Sequence, residues 1–197
     1  KSEAVDLGAV ILLPGLVNAH CHLDYTDFVG AIPAPRSFTD WINAIVDLKA
    51  DVDDAAHRES WLHGAAQCLR HGTTTLGNIE TRPDLLPELW AAMPLRVVSF
   101  LELIVIRAQS DAAQAVADAA DWIASHKPLR GHAGLSPHAP YTTKPDLLEA
   151  CATTGLPLAM HLAESSEEDE MFRQGSGSLY ERLAAAGREM ADCGSGS

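Results

Sequence analysis

The stretch LLPGLVNAHCH, residues 12–22, runs from an apolar segment straight into two histidines that flank one cysteine. Its near-continuous apolar character is that of a strand buried on both faces, as in a parallel sheet. Side chains alternate along a strand. Asn18, His20, His22 and Asp24 therefore share one face, while Val17, Ala19, Cys21 and Leu23 share the other. The second set suits packing against helices, and it points Cys21 away from the histidines. The first set is polar and puts two imidazoles on one wall, close enough to bind a single metal ion. Two solvated loop histidines leave the same bare pattern, so the other strand ends have to decide.

Four further segments share this composition: GTTTLGNIE (72–80), LRVVSFLELIVI (95–106), HAGLSPHAP (132–140) and LPLAMHLAE (156–164). Helical stretches lie between them. SFTDWINAIVDLKA (37–50) carries Phe38, Trp41, Ile42, Ile45 and Val46 at helical spacing, with Thr39 as the expected N-cap. Residues 53–71 form a second helix stopped at Gly72. DLLPELWAAM (84–93), the alanine-rich 111–125 and KPDLLEACATTG (144–155) supply three more. Alternating strand and helix implies right-handed crossovers and a parallel sheet. No GxGxxG or GxxxxGK[ST] follows a strand, which removes the fingerprint of nucleotide-binding open sheets. The expected fold class is therefore α/β, a TIM-type (β/α)8 barrel. Only about the first five β/α units are expected here, because a complete barrel takes about 200 residues at the least and typically about 250.

Composition narrows the partners. Acidic residues outnumber basic ones by 27 to 14, for a net charge of −13. That argues against nucleic acid or an anionic membrane, both of which need clustered Lys and Arg. No run approaches the roughly 20 apolar residues of a membrane span, and no signal-peptide pattern is visible. Cys21, Cys68, Cys151 and Cys193 are scattered without a CxxC. Reduced thiols in a cytoplasmic protein are expected, and a small molecule is the partner left open.

Two more strand ends resemble the first. SPHAPYT (136–142) holds His138 between two prolines, and MHLAESSEEDE (160–170) carries His161 and then Glu164. Histidines at three of five strand ends, on the rim where barrel active sites are built, favour the metal reading of His20 and His22. His57, His63, His71, His126 and His132 fall mostly on helices or at their ends, where solvated or capping roles are expected. In the acidic run, Ser165 and Glu168 fit a capping box, and Glu167, Asp169 and Glu170 complement a helix dipole. Glu164 precedes that cap. Strict alternation turns it away from His161, so the chain must bend between them if both serve one site. Asn78 and Glu102 are weak candidates for substrate contact, and Arg36 in PAPRSF is expected to be solvated.

Taken in order, LLPGLVNAHCHLDYT, GTTTLGNI, GLSPHAPYTT and LAMHLAESSEE resemble the amidohydrolase superfamily over nearly the whole chain. They are most similar to its aromatic-deaminase and chlorohydrolase branch, which groups S-adenosylhomocysteine/methylthioadenosine, guanine and aminofutalosine deaminases with triazine hydrolases. Within the branch, SFTDWI and the HLAESSEE segment look most like the aminofutalosine type. The resemblance implies that His20, His22 and His161 hold one divalent metal ion, zinc first and iron second. It implies that Glu164 shuttles a proton and that His138 contacts the substrate or the developing intermediate. By the same likeness, residues 1–11 are the tail of a flanking β-sandwich segment and 12–197 the N-terminal part of the barrel. The family's sixth-strand histidine and eighth-strand aspartate fall outside this sequence.

The implied reaction is hydrolytic deamination of an aromatic amine by metal-activated water. The amine would be purine-nucleoside-like, such as aminofutalosine or an adenosine derivative. Cyclic amide hydrolysis is an alternative, but it resembles a two-metal chemistry that needs a fourth-strand lysine, and the nearest, Lys144, lies beyond that strand. Triazine-type chloride displacement is another. A degenerate binding barrel is the non-enzymatic alternative, and retention of His20, His22, His161 and Glu164 together argues against it. A homo-oligomer would be in keeping with the superfamily.

Overall fold

A computed structural model describes residues 4–107 and 109–194. Four parallel strands, β1 (Leu16–Cys21), β2 (Thr73–Glu80), β3 (Arg96–Leu103) and β4 (Gly131–Pro137), form one sheet in the order β1-β2-β3-β4. Helices connect them, so the architecture is α/β as the alternating pattern implies. The register brings the C-terminal ends of the strands to one edge: Cys21 lies opposite Asn78, Glu80 opposite Leu101 and Glu102 opposite Ser136.

The expected fifth strand lies beside β4 but forms no regular ladder. Leu158 bridges Leu135 in parallel, Leu135 N–H donates to the Pro157 carbonyl at 3.0 Å, and Ala159 N–H donates to the Leu135 carbonyl at 3.1 Å. Pro157 itself has no N–H to give the ladder. The approach is close because position 134 is glycine: a Cβ there would meet the Pro157 oxygen at 2.4 Å. Three other strands are shorter than expected, β4 among them, which ends at Pro137 rather than at 140. Residues 12–15, with Pro14 and Gly15, stay outside β1, and Ile104–Ile106 leave the sheet beyond β3.

The helices are α1 (Phe38–Ala50), α2 (Asp54–Arg70), α3 (Leu86–Ala92), α4 (Ala112–Ser125), α5 (Pro145–Thr153), α6 (Ser166–Gln174) and α7 (Ser178–Ala185). Ser37 caps α1, not Thr39, because Ser37 is the last extended residue and its hydroxyl accepts Asp40 N–H at 3.0 Å. Thr39 is buried instead, 2.8 Å from the Ser178 hydroxyl of α7. Helix α7 is an addition to the sequence reading, which the glycine–serine run at 175–178 obscured. Leu179 and Leu183 on it are fully buried beside Met171 and Tyr141.

One core packs β1–β3 against α2 and α3 through Trp61, Leu76, Leu86 and Leu89, and a second packs β4 against α4 and α5 through Leu135, Leu147 and Cys151. One histidine departs from its expected placement: His57 on α2 is only 4% exposed rather than solvated. His132 is an exposed residue of β4, as the strand 132–140 and a solvated role imply. Among the described residues no helix is long and apolar enough to cross a membrane.

Candidate metal centre and active-site cavity

The polar face of β1 ends in a turn, not in further strand. Asn78 Oδ1 accepts Leu23 N–H at 3.0 Å, and a 3-10 turn runs from Leu23 to Phe28. Alternation therefore stops before Asp24, which is buried and accepts the Thr81 hydroxyl at 3.1 Å instead of joining the histidine face. Cys21 points away from the histidines, with Sγ 3.3 Å from Asn78 Oδ1, and burial pushes its thiol up to about 12.

His20 and His22 meet His161 from the segment beside β4. One ligand-type atom from each of the three lies within 4.8 Å of the others. His22 Nε2 is 3.1 Å from His161 Nε2, and the His20 and His161 ring centres are 4.7 Å apart. His161 Nδ1 lies 2.9 Å from the His138 carbonyl, which can only accept, so its proton is on Nδ1 and its Nε2 presents a lone pair to the cluster. Burial, reinforced by the His161 charge, lowers His22 to about 3 and also depresses His20. Both imidazoles are therefore held neutral, which is the form that binds a metal.

Glu164 reaches this side of the site through a bend of the expected kind. Ala163 has φ +56°, the left-handed region that side chains other than glycine rarely adopt. The new direction is locked at both ends of Glu164. Its backbone N–H donates to Glu168 Oε2 at 2.8 Å, and its Oε2 accepts the Tyr141 hydroxyl at 2.5 Å. Ser165 does cap α6, accepting Glu168 N–H at 3.1 Å. The Glu168 carboxylate does not complete the box by returning to Ser165; it holds Glu164. Glu167 also has a second task, since it accepts Phe38 N–H at 2.6 Å and ties α1 to α6.

His138 stands at the C-terminal end of β4. The Thr142 hydroxyl donates to the Ala139 carbonyl at 3.2 Å and so accepts from His138 Nδ1 at 2.6 Å. His138 Nε2 faces Glu102 Oε1 at 3.9 Å, and burial lowers this imidazole to about 3. Glu102, at the end of β3, has a side chain only 6% exposed, and burial raises its pKa. Together with His138 and His161 it forms a second convergent set within 4.8 Å. Asn78 is fully buried within the sheet and does not line the cavity, while Arg36 is exposed as expected.

These groups open onto a cavity of about 600 Å³. One wall is apolar: Trp41, Ile42, Ile45 and Val46 of α1 face Ile104 and Ile106 from the segment past β3. Sequence reasoning placed the α1 residues at helical spacing but not at a cavity. It missed Tyr25, Lys49, Tyr141 and Thr142, although Tyr141 and Thr142 sit within the SPHAPYT stretch that it singled out.

The model of the amidohydrolase family matches residues 11–190. A 5-methylthioadenosine/S-adenosylhomocysteine deaminase of Desulfovibrio desulfuricans is 34% identical over 177 residues, covering 84% of this chain and 39% of that protein. An aminodeoxyfutalosine deaminase of Deinococcus radiodurans is 32% identical over 194 residues, covering 93% of this chain and 44% of that protein. The chain thus spans about two fifths of the length of these curated relatives. Among solved structures, Helicobacter pylori aminofutalosine deaminase in complex with methylthio-coformycin superposes with a TM-score of 0.72 at 20% identity. It covers 91% of this chain and 46% of the other, and at that identity the likeness speaks for the fold. With a family match over nearly its full extent, the chain belongs to the amidohydrolase family.

Proposed function

We propose that this chain supplies the histidine face of a metal-dependent deaminase that replaces the amino group of an aromatic ring with oxygen. The observation that carries the reading is the convergence of His20, His22 and His161 beside a glutamate fixed at both its backbone and its carboxylate. In this reading residues 12–197 belong to a (β/α)8 barrel and 1–11 to the end of a flanking β-sandwich segment.

Three imidazoles converging on one point suit a divalent ion, zinc above all. Such an ion lowers the pKa of water toward about 7, which makes a nucleophile available at neutral pH. The chain's own residues do the rest. Tyr141 occupies Glu164 Oε2, which leaves Oε1 to take a proton from water and return it to a ring nitrogen. Burial, reinforced by the adjacent Glu164, raises the Tyr141 pKa above its ordinary value, so the phenol stays protonated and keeps Glu164 aimed. Neutral His138, whose Nδ1 proton is committed to Thr142, accepts at Nε2 a hydrogen bond from the hydroxyl gained by the ring carbon. The apolar wall of α1 packs on the ring and excludes competing water. The proton of that hydroxyl passes to the departing amino group as the carbon–nitrogen bond breaks, so the outcome is a ring carbonyl and ammonia.

The test is metal analysis of the full-length protein beside ammonia release from methylthioadenosine, S-adenosylhomocysteine, aminodeoxyfutalosine and guanine. About one equivalent of zinc or iron with ammonia from one of these is expected, and His161→Ala should lose both. About two metals per chain with turnover of a cyclic amide instead would overturn the mononuclear deaminase.

A further inference from the structure

Helix α7 ends in a tight reversal. Gly187, just past its last turn, takes φ +86°, a step that glycine makes without the penalty a Cβ carries. Its N–H donates to the Ala184 carbonyl and Arg188 N–H donates to the Leu183 carbonyl, both at 3.0 Å. The reversal brings Arg188 against the turn Pro140–Thr142 that follows β4. Arg188 is only 5% exposed there, and its five N–H groups meet five oxygens. Nε donates to the Tyr141 carbonyl at 2.9 Å and Nη2 to the Pro140 carbonyl at 3.2 Å. Nη1 donates to the Glu189 carbonyl at 2.7 Å, and Nη1 and Nη2 each donate to one Asp192 carboxylate oxygen at 2.7 Å. The guanidinium also stands 5.6 Å from the centre of the Phe172 ring on α6, within cation–π range.

These contacts converge on one hydrogen bond of the cavity. Tyr141 donates its hydroxyl to Glu164 Oε2 at 2.5 Å, and Glu164 is itself held by Glu168 in the first turn of α6. Arg188 therefore grips both sides of that bond: the backbone of its donor, and the helix that anchors its acceptor. Burying a guanidinium is costly even when it is paired, so stability is a weak reason for placing one here. What the side chain adds is geometry, because a planar fork of five fixed donors specifies where two successive carbonyls lie. A lysine, with three donors on one atom, could not meet both carbonyls and bracket a carboxylate in one plane. We infer that Arg188, aligned by Asp192, is a positioning residue that holds Tyr141 so that its hydroxyl keeps Glu164 aimed into the cavity. The inference rests on the deaminase reading for the proton transfer that Glu164 makes, and on geometry alone for the hold on Tyr141.

The experiment uses the full-length metal-loaded protein and has one arm that needs no turnover. The protein is labelled with 3-fluorotyrosine and followed by fluorine NMR. It has three tyrosines in this chain, Tyr25, Tyr141 and Tyr180, and the Tyr141 resonance is the one lost in Tyr141→Phe. Arg188→Met and Glu164→Gln are each expected to move that resonance by more than its linewidth, and Asp192→Asn to move it less. In Arg188→Met the Tyr25 resonance stays in place. A stationary Tyr141 resonance in Arg188→Met, or a Tyr25 resonance that moves as far, would overturn the inference. If Arg188→Met does not fold, a stationary Tyr141 resonance in Asp192→Asn overturns it instead. The second arm measures kcat and KM for ammonia release. Arg188→Met is expected to lower kcat about tenfold with KM nearly unchanged. In a Tyr141→Phe background its further effect is less than about twofold, because the hydroxyl it positions is gone. Falls that multiply, or a change in KM alone, would sink the idea. Absence of ammonia from the unaltered protein, with the Arg188-dependent Tyr141 shift intact, would remove the deaminase reading and leave the hold on Tyr141 standing.

Discussion

Ala163 decides whether His161 and Glu164 act at one place. Its left-handed backbone costs roughly 1–2 kcal/mol in an alanine, and the hydrogen bonds on either side of Glu164 hold it there. Ala163→Gly is expected to raise stability by about 0.5–1 kcal/mol in urea denaturation, because glycine enters this region without the Cβ penalty. Ala163→Val should do the opposite and cut turnover while bound metal, read by elemental analysis, is retained. Tyr141→Phe removes the donor from Glu164 Oε2 without opening a cavity. We expect about a tenfold fall in kcat with metal content and KM nearly unchanged, the size of one hydrogen bond to a charged group. A rise in KM alone would show that Tyr141 binds substrate instead. The sequence announced that a bend was needed, because alternation puts residues three apart on opposite faces. It did not announce where the bend falls, since alanine carries none of the turn chemistry of Gly or Asn.

Helix α1 forms a wall of the cavity, and its position depends on three ties at its N-terminus: the Ser37 cap, Phe38 N–H to Glu167, and Thr39 to Ser178. Only the first is local. Ser37→Ala is expected to cost about 1 kcal/mol, seen as a lower melting temperature, with cavity binding weakened because the wall loosens. No change in either would mean that the two tertiary ties suffice alone. Helix α6 shows the same layering. Its Ser165 cap was legible in sequence, whereas the reach of Glu168 to Glu164 depends on the Ala163 bend and was not. Exchange of Thr39 for Ser37 as the cap has a similar cause, for both residues can cap and only the backbone decides which is the last extended one.

Across the molecule, buried titratable groups set how stability varies with pH. Burial, followed by the charges of Arg82 and Lys49, lowers His57 from its ordinary 6.5 to about 4. Above pH 6.5 it is neutral folded and unfolded alike. As pH falls from 6.5 toward 4, the unfolded chain takes up the proton first, so stability is lost across that window. His57→Gln should lose less, so that its stability relative to the unaltered protein improves by about 1–2 kcal/mol at pH 4. Urea midpoints at pH 7.5, 6, 5 and 4 measure this, and a pH-independent difference would show that His57 matters only by packing. Glu80 and Asp24 act in the opposite sense. Burial raises them to about 7 and about 6, so each costs stability as pH rises, and both cancel when the variant is compared with its parent.

By itself the sequence determined the parallel α/β order and singled out His20, His22, His138, His161 and Glu164 at the strand ends, residues that the structure brings to one cavity. Period-2 and period-3.6 patterns and short turn signals are local, and a chain that alternates strand and helix has few ways to stack them. Tertiary structure alone decided that Asp24 turns inward, that His57 is buried, and that β3 releases Ile104 and Ile106 into a cavity. It also brought Lys49 and Tyr25, 24 residues apart in the chain, to one hydrogen bond at 2.9 Å. Such contacts depend on how α1 docks across the sheet, which is set by packing and by side chains more than a hundred residues away. No local pattern encodes an approach of that kind.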